Sequence, residues 1–508
     1  MAPTETPSSL ESDARSMAET LERRRYVVLL LLTVVYTLGA VLQARGKPLW
    51  YDEIITTFAA RAPDAAGTWA AAQASDINPP LPHLLIHYTM QWVANPEIGA
   101  RIPSIVGFWI YSLCLYRFTR RRVGIWYALA ALLLPVVTSA YGFAVEARAY
   151  GPVLAFCGIA LVGWQAADGL RKPLALAALA GGLAGALLCH YYAILIYLPL
   201  AGGEAFRWYR RRRLDWPVWA AFVAGGLPLV WRAMKIMGVS RWSAHSWAPP
   251  YPGQVMEFWE EGLQRSLSYL VLLTGLLALA IVASRKKAQT PPEDKVALAD
   301  DELVAGVLFL AIPVAAVAGA LLVTHMFTPR YALFALTGFA FLAPMVTAHL
   351  TGGRTLVGFL MTVSLLAGLG MVTIEMPAPQ NPFAREPVLA KALETEPVVI
   401  PDGQLFLKAW QYAPEALKSK LLFVSDDDAS VKYMGFDSID AGLRVVRPFA
   451  AVQVVDYRDF YAPGKEFLVY QNTLRPGWVL AKVMADGGSA EVLSASGFRE
   501  LLRVRFKR

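Results

Sequence analysis

Apolar runs of close to 20 residues, separated by short clusters of arginine and lysine, recur along the first three quarters of the chain. A helix needs about 20 apolar residues to cross the hydrocarbon core, so the pattern predicts an α-helical polytopic membrane protein. Span 1 runs from about Tyr26 to Leu42, and Arg23-Arg24-Arg25 hold its start in the cytoplasm. With no small-residue cleavage site in clear view, it reads as a retained span and not as a signal peptide. The next run, 81–93, is short for a crossing and contains His83, His87 and Gln91. If it crossed, the run 102–118 would return outward and strand Arg117, Arg120, Arg121 and Arg122 on the wrong face. A surface helix at 81–93, within an outer loop 43–101, avoids that conflict. Spans then follow at 102–118, 124–142, 149–167, 173–189, 191–206, 216–233, 266–283, 303–323, 331–349 and 355–375. That makes about eleven, with every strong basic cluster inside.

The flanks differ. Residues 1–25 are polar and read as a disordered cytoplasmic N-terminus; residues 26–375 form the transmembrane domain. Residues 376–508 open with Pro377, Pro379, Pro382 and Pro387 and continue with mixed charge and short apolar runs such as Leu421 to Val424. They predict a small α/β or α+β domain outside the membrane, following an odd number of spans. Only 17% of residues are charged, against about a quarter in soluble domains. The net charge of +8 sits between spans, so it is orientation charge and not a nucleic-acid footprint. Cys114, Cys157 and Cys189 fall inside apolar runs, which argues against a disulfide framework or a thiolate metal site. No GxGxxG, P-loop, CxxC or HExxH motif occurs, and no organic cofactor is expected.

The topology gathers the candidate chemistry at one face. Asp52, Glu53, Asp76, Glu146, Arg148, Tyr150, His190, Tyr191, His325, Arg330 and Tyr331 all map to outer loops or outer span ends. Taken singly, each is an ordinary interfacial residue, and Glu146 with Arg148 a local ion pair; His83, His87 and His245 fit that reading best. Together they suit a charged lipid headgroup, because ionisable groups at membrane depth are costly. Arg148 and Arg330 offer rigid forks of donors for phosphate oxygens. Asp52 suits a general base taking a proton from an attacking hydroxyl or amine. Glu53 or Asp76 could orient that base, hold an acceptor, or, with Asp52, ligate a divalent cation such as Mg2+ or Mn2+. Carboxylates alone do not establish a metal. His190 could contact the headgroup or serve as hydrogen-bonded packing. Pro79-Pro80 denies helix to Asn78, so Asp76 belongs on a bent segment that can return toward Asp52.

The order Tyr51-Asp52-Glu53, Asp76-Ile77-Asn78-Pro79-Pro80-Leu81 and Ala100-Arg101-Ile102-Pro103-Ser104 resembles the membrane glycosyltransferases that include protein O-mannosyltransferases and lipid A aminoarabinose transferases. Glu146-Ala147-Arg148-Ala149-Tyr150, His190-Tyr191-Tyr192 and Pro329-Arg330-Tyr331 extend the likeness over residues 26–375. The resemblance implies a GT-C fold of the glycosyltransferase family 39 type. It also implies a polyprenyl-phosphate-linked sugar donor used at the periplasmic face of a bacterial inner membrane, and a periplasmic C-terminal domain. By carry-over Asp52 is the base, with Glu53 beside it, and Glu146 and Arg148 lie near the donor; position and chemistry place Tyr150, His190, Tyr191, Arg330 and Tyr331 about its headgroup. The acceptor, a lipid, glycan or protein, is left open, as are sugar and metal. A transporter or flippase for a lipid-linked glycan is the alternative; its mark would be charged, broken segments near the midplane.

Overall fold

The computed structural model describes residues 9–76, 78–237, 247–264, 296–374 and 381–507. The expected span 266–283, His245, Pro377 and Pro379 lie outside the described residues. Twelve helices lead from the N-terminus: α1 (Ser9–Arg23), α2 (Arg25–Gly46), α3 (Tyr51–Ala60), α4 (Ala65–Ser75), α5 (Leu81–Trp92), α6 (Pro96–Arg120), α7 (Ile125–Leu133), α8 (Ala140–Ala144), α9 (Tyr150–Ala166), α10 (Lys172–Cys189), α11 (Tyr197–Arg211) and α12 (Trp216–Met237). Among the described residues α2, α6 and α10 are long and apolar enough to cross a membrane, and a bent pair, Asp300–Leu310 with Ile312–Thr324, makes a fourth.

Most of the remaining expected spans in the described residues are occupied by shorter apolar helices, but 191–206 is not: it holds the 3-10 segment Tyr191–Ile196 and then α11, which carries Glu204, Arg207, Arg210 and Arg211. Chain breaks account for part of the difference. Pro135 turns the end of α7 into the 3-10 segment Leu134–Val137, and Pro313 sits at the 46° break between residues 310 and 312. Helix α5, at 12 residues or about 18 Å, is too short to cross and packs on α6, α3 and α4.

The N-terminus corrects the reading of residues 1–25 as disordered, because Ser9–Arg23 is helical. Low hydropathy hid a helical stripe in which Ala14 is buried and Ala18 and Leu21 pack on the main core. Glu11 accepts the backbone N–H groups of Thr355 (3.0 Å) and Leu356 (3.3 Å) at the start of helix Thr355–Ile374. Its charge thus meets the positive end of that helix.

Helices α6 and α9 cross where glycines permit contact. A Cβ on Gly107 would come within 2.6 Å of the Gly151 carbonyl carbon, so backbone meets backbone there. The basic clusters expected inside are engaged by acids: Arg120 with Glu22 (2.8 Å), Arg122 with Glu302 (2.6 Å), and Arg207 with Glu204 (2.8 Å) and Asp301 (2.7 Å). Arg120 lies 19 residues along α6 from Arg101, or about 28 Å.

The C-terminal part forms a six-stranded sheet of β1 (Val398–Val399), β2 (Leu421–Ser425), β3 (Gln453–Asp456), β4 (Glu466–Asn472), β5 (Ser489–Ser496) and β6 (Arg499–Arg505) in the order β3-β2-β1-β4-β6-β5. The first four run parallel, and β6 is antiparallel to both neighbours. Alternate residues feed two cores: Leu468 and Tyr470 face one, Phe467 and Val469 the other. The first of these cores also contains Leu49, Ile54 and Phe58 from the segment around α3.

Candidate active site

Helix α3 presents two adjacent carboxylates to different surroundings, since neighbours on a helix point about 100° apart. Glu53 turns inward and is fully buried. Its Oε1 accepts from Arg101 Nε (2.8 Å) and Ala147 N (2.6 Å), and its Oε2 from Arg101 Nη2 (2.8 Å) and Trp50 N (3.2 Å). Arg101 spends its remaining donors on the carbonyls of Ala44, Lys47 and Pro48. A buried charge persists only when paired and hydrogen-bonded in this way. Glu53 therefore welds α3, α6 and the Glu146–Arg148 turn together.

Asp52 meets two arginines instead. Its Oδ2 lies 3.4 Å from Arg148 Nη2 and 3.5 Å from Arg330 Nη2, and the three side chains are each about one fifth exposed. Arg148 comes from the turn before α9, where Ser104 Oγ donates to its carbonyl (3.0 Å). Arg330 comes from the 3-10 turn Pro329–Ala332, and its guanidinium lies 5.9 Å from the ring centres of both Trp50 and Trp247.

Asp76 caps the end of α4. Its Oδ1 accepts from Asn78 N (2.9 Å) and Asn78 Nδ2 (3.2 Å), and its Oδ2 is 3.8 Å from His83 Nε2. Burial would push this carboxyl up, yet His83, Arg148 and the Asn78 N–H together hold it below the usual aspartate range. The bent segment does bring Asp76 toward Arg148: both line a small polar recess with His83, Tyr150 and His190, with room for about one water.

His190 ends α10 in an extended conformation, and its Nδ1 accepts from Tyr192 N (3.2 Å). Nε2 therefore carries the ring proton. Burial, with Arg148 and Arg330 nearby, pushes the imidazole down to about 3, so it stays neutral. Among the described residues, His190 Nε2, the Tyr150 hydroxyl, Trp50 Nε1 and Arg330 Nε are all buried without a hydrogen-bond partner. Unmade hydrogen bonds of buried donors cost about 1–3 kcal/mol each. Three such donors besides the guanidiniums of Arg148 and Arg330, one of which has its own Nε unpaired, make a seat for an anion.

Other expected residues fall differently. Glu146 pairs with Lys47 (3.1 Å) instead of Arg148, and burial raises its carboxyl despite that lysine. Tyr331 stacks behind the site, 5.2 Å from His190 and 4.7 Å from Tyr192. Tyr191 lines neither cavity, whereas Tyr192 ties the turn to Met326 O (2.8 Å). His325 is exposed. Lys47 and Trp247 escaped notice in the sequence, where nothing sets them apart from interfacial lysines and aromatics, and Trp50 and Tyr192 stood there only as neighbours of Asp52 and His190 with no role of their own. Arg101 was visible as part of the Ala100-Arg101-Ile102-Pro103-Ser104 stretch, without a role.

A cavity of about 670 Å³ opens beside Arg330 and Glu146, with Trp50, Phe143, Trp247, Phe258 and Phe327 in its walls. Its aromatic lining suits an apolar chain or a ring face. The three carboxylates do not fit a shared metal: Glu53 is fully committed, Asp52 faces two arginines and Asp76 is held by Asn78 and His83. Among the described residues no three His, Cys, Asp or Glu side chains converge to hold an ion.

No family model and no curated protein matches the chain. Among solved structures it is similar to ArnT from Cupriavidus metallidurans, crystallised bound to undecaprenyl phosphate. The two are 13% identical, with a TM-score of 0.54 over 94% of this chain and 97% of that one. At that identity the likeness is one of architecture: this membrane protein has a GT-C glycosyltransferase-like fold, completed by a small C-terminal sheet domain.

Proposed function

We propose that the chain is an inverting glycosyltransferase that takes a sugar from a polyprenyl-phosphate-linked donor. The observation that carries this reading is Asp52 held between Arg148 and Arg330, ringed by buried donors without acceptors. A donor phosphate satisfies those donors and both guanidiniums. The undecaprenyl phosphate in the crystallised ArnT supports a polyprenyl carrier on the same architecture. In the step proposed, an acceptor O–H or N–H attacks the anomeric carbon from the face opposite the phosphate. The carbon–oxygen bond to phosphate breaks, polyprenyl phosphate leaves with the bonding pair, and the acceptor proton passes to the Asp52 carboxylate. One carboxylate is enough for this route, whereas retention would ask for a second as nucleophile. Arg148 and Arg330 stabilise the departing phosphate charge, and Glu53 positions the helix. Asp76 remains the candidate to orient the acceptor, and neutral His190 to donate a hydrogen bond to the headgroup.

The working topology is about eleven spans in a bacterial inner membrane, with the site and residues 376–508 facing the periplasm. The acceptor is a lipid, glycan or protein. The 46° break at residues 310–312 favours the second reading, a flippase for a lipid-linked glycan. Full-length protein in liposomes, given polyprenyl-phosphate sugar with label in the sugar and envelope extract as acceptor, separates the two. Transferase activity moves label to the acceptor with inverted configuration and releases one polyprenyl phosphate per sugar. Intact donor crossing the bilayer without release would establish the flippase.

A further inference from the structure

The C-terminal domain is joined to the helix that carries Asp52 along its whole length. At the entry to α3, the Tyr412 hydroxyl accepts the N–H of Leu49 (2.7 Å). In the last turn of α3, Phe58 meets the indole of Trp410 edge-on at 5.3 Å. At the exit, Arg61 reaches Gln411 (3.4 Å). All three partners sit on one helix of the domain, Gly403–Tyr412. Leu49, Ile54 and Phe58 are buried in the domain's own core. One face of α3 thus completes the sheet domain, and the other carries Asp52 to Arg148 and Arg330.

The Tyr412 hydroxyl has a second bond. Its single hydrogen goes to Glu97 Oε1 (3.1 Å), on the first turn of α6, four residues before Arg101. A phenol can donate once while accepting from an amide, so both bonds form together. Burial, with Glu97 close by, keeps the phenol protonated. The two segments tied by Tyr412 are the ones that Arg101 and Glu53 already tie together at the pocket side. Tyr412 is a second, independent brace on the same backbone, set in a different domain.

We infer that the C-terminal domain takes part in catalysis by bracing the Leu49–Asp52 backbone, with Tyr412 as a positioning residue for Asp52. This rests on the glycosyltransferase reading above. Because the Arg101–Glu53 weld persists without it, loss of the Tyr412 hydroxyl loosens Asp52 without unfolding the chain. Displacement of a reacting group by a fraction of an ångström to 1 Å costs up to about 100-fold in rate.

The test is Tyr412→Phe in the full-length protein. Turnover is expected to fall about 10-fold or more, with the donor KM nearly unchanged, because Arg148 and Arg330 are held by other elements. Placed on an Asp52→Asn background, Tyr412→Phe should cost almost nothing further. A merely structural role would cost the same factor in both backgrounds, and that result, or an unchanged kcat, overturns the proposal. Glu97→Gln, which keeps the ring and weakens its anchor, should lower kcat in the same direction and serves if the phenylalanine variant fails to fold. Hydrogen exchange separates this idea from the function it rests on. Amides from Leu49 to Asp52 should exchange faster in Tyr412→Phe even if no sugar transfer is detected in any variant. Unchanged exchange there rejects the brace, whereas absent transfer in the wild type rejects only the reading of the reaction.

Discussion

Replacing Asp52 by Asn separates the two things this carboxylate does. In the free protein its charge occupies the seat between Arg148 and Arg330, at 3.4 and 3.5 Å. At an effective dielectric of about 20, each contact has a Coulomb energy of about 5 kcal/mol. Partial exposure reduces the usable part, and a coupling of only about 1.4 kcal/mol corresponds to tenfold in affinity. An incoming phosphate must compete with Asp52 for the same two guanidiniums. Asn keeps the shape without the charge, so polyprenyl phosphate should bind about tenfold tighter. The same change removes the proton acceptor, and turnover at saturating donor should fall by about 100-fold or more. The assay is displacement of labelled polyprenyl phosphate from protein in nanodiscs, beside turnover with purified donor. Tighter binding with lost turnover is the expected pair. Binding and turnover lost together would refute the reasoning, because Asp52 would then support the phosphate site instead of competing for it.

Arg148→Lys and Arg330→Lys should each weaken donor binding, less than the alanine variants do, since a point charge replaces a planar fork; equilibrium binding of polyprenyl phosphate checks this. Gly151→Ala should force α9 away from the backbone of Ser104 and cost about 1–3 kcal/mol, read as a lower melting temperature of the detergent-solubilised protein. Asp440 in the C-terminal domain is pushed up to about 6, chiefly by burial. Its neighbour Ser430 has one hydroxyl hydrogen for both Phe436 O (2.7 Å) and Asp440 Oδ2 (3.0 Å), so a protonated Asp440 relieves the conflict. A carboxyl raised on folding contributes stability below its unfolded pKa and loses it as pH climbs to the folded value. Domain stability should therefore fall between about pH 4 and 6, by at most about 3 kcal/mol. Asp440→Asn should flatten that slope in pH-dependent melting.

The mostly helical membrane fold was legible because bilayer thickness fixes the length of apolar runs. The loop acids and Arg148 and Arg330 were legible for the same reason, since topology alone gathers them at one end. Their division of labour was not. Asp52 and Glu53 are adjacent and chemically alike; what separates them is Arg101, 48 residues away, which takes Glu53 into the core. Glu146 and Arg148 look like a local pair, yet each has a distant partner, Lys47 and Asp52. Helix α1 was hidden because its stripe is built mainly from small and charged residues whose partners, such as Thr355, Arg120 and Trp126, are distant in sequence. The Leu49–Tyr412 bond joins residues 363 apart, and no local pattern announces it.

The central claim is that donor phosphate takes the seat which Asp52 holds in the free protein. A structure of the full-length chain with polyprenyl phosphate bound tests it most directly. The account predicts the phosphorus between Arg148 and Arg330, within hydrogen-bond reach of His190 Nε2 or the Tyr150 hydroxyl, and Asp52 moved off both guanidiniums toward the large cavity. Phosphate bound elsewhere, with the Asp52–Arg148–Arg330 contacts intact, would contradict it.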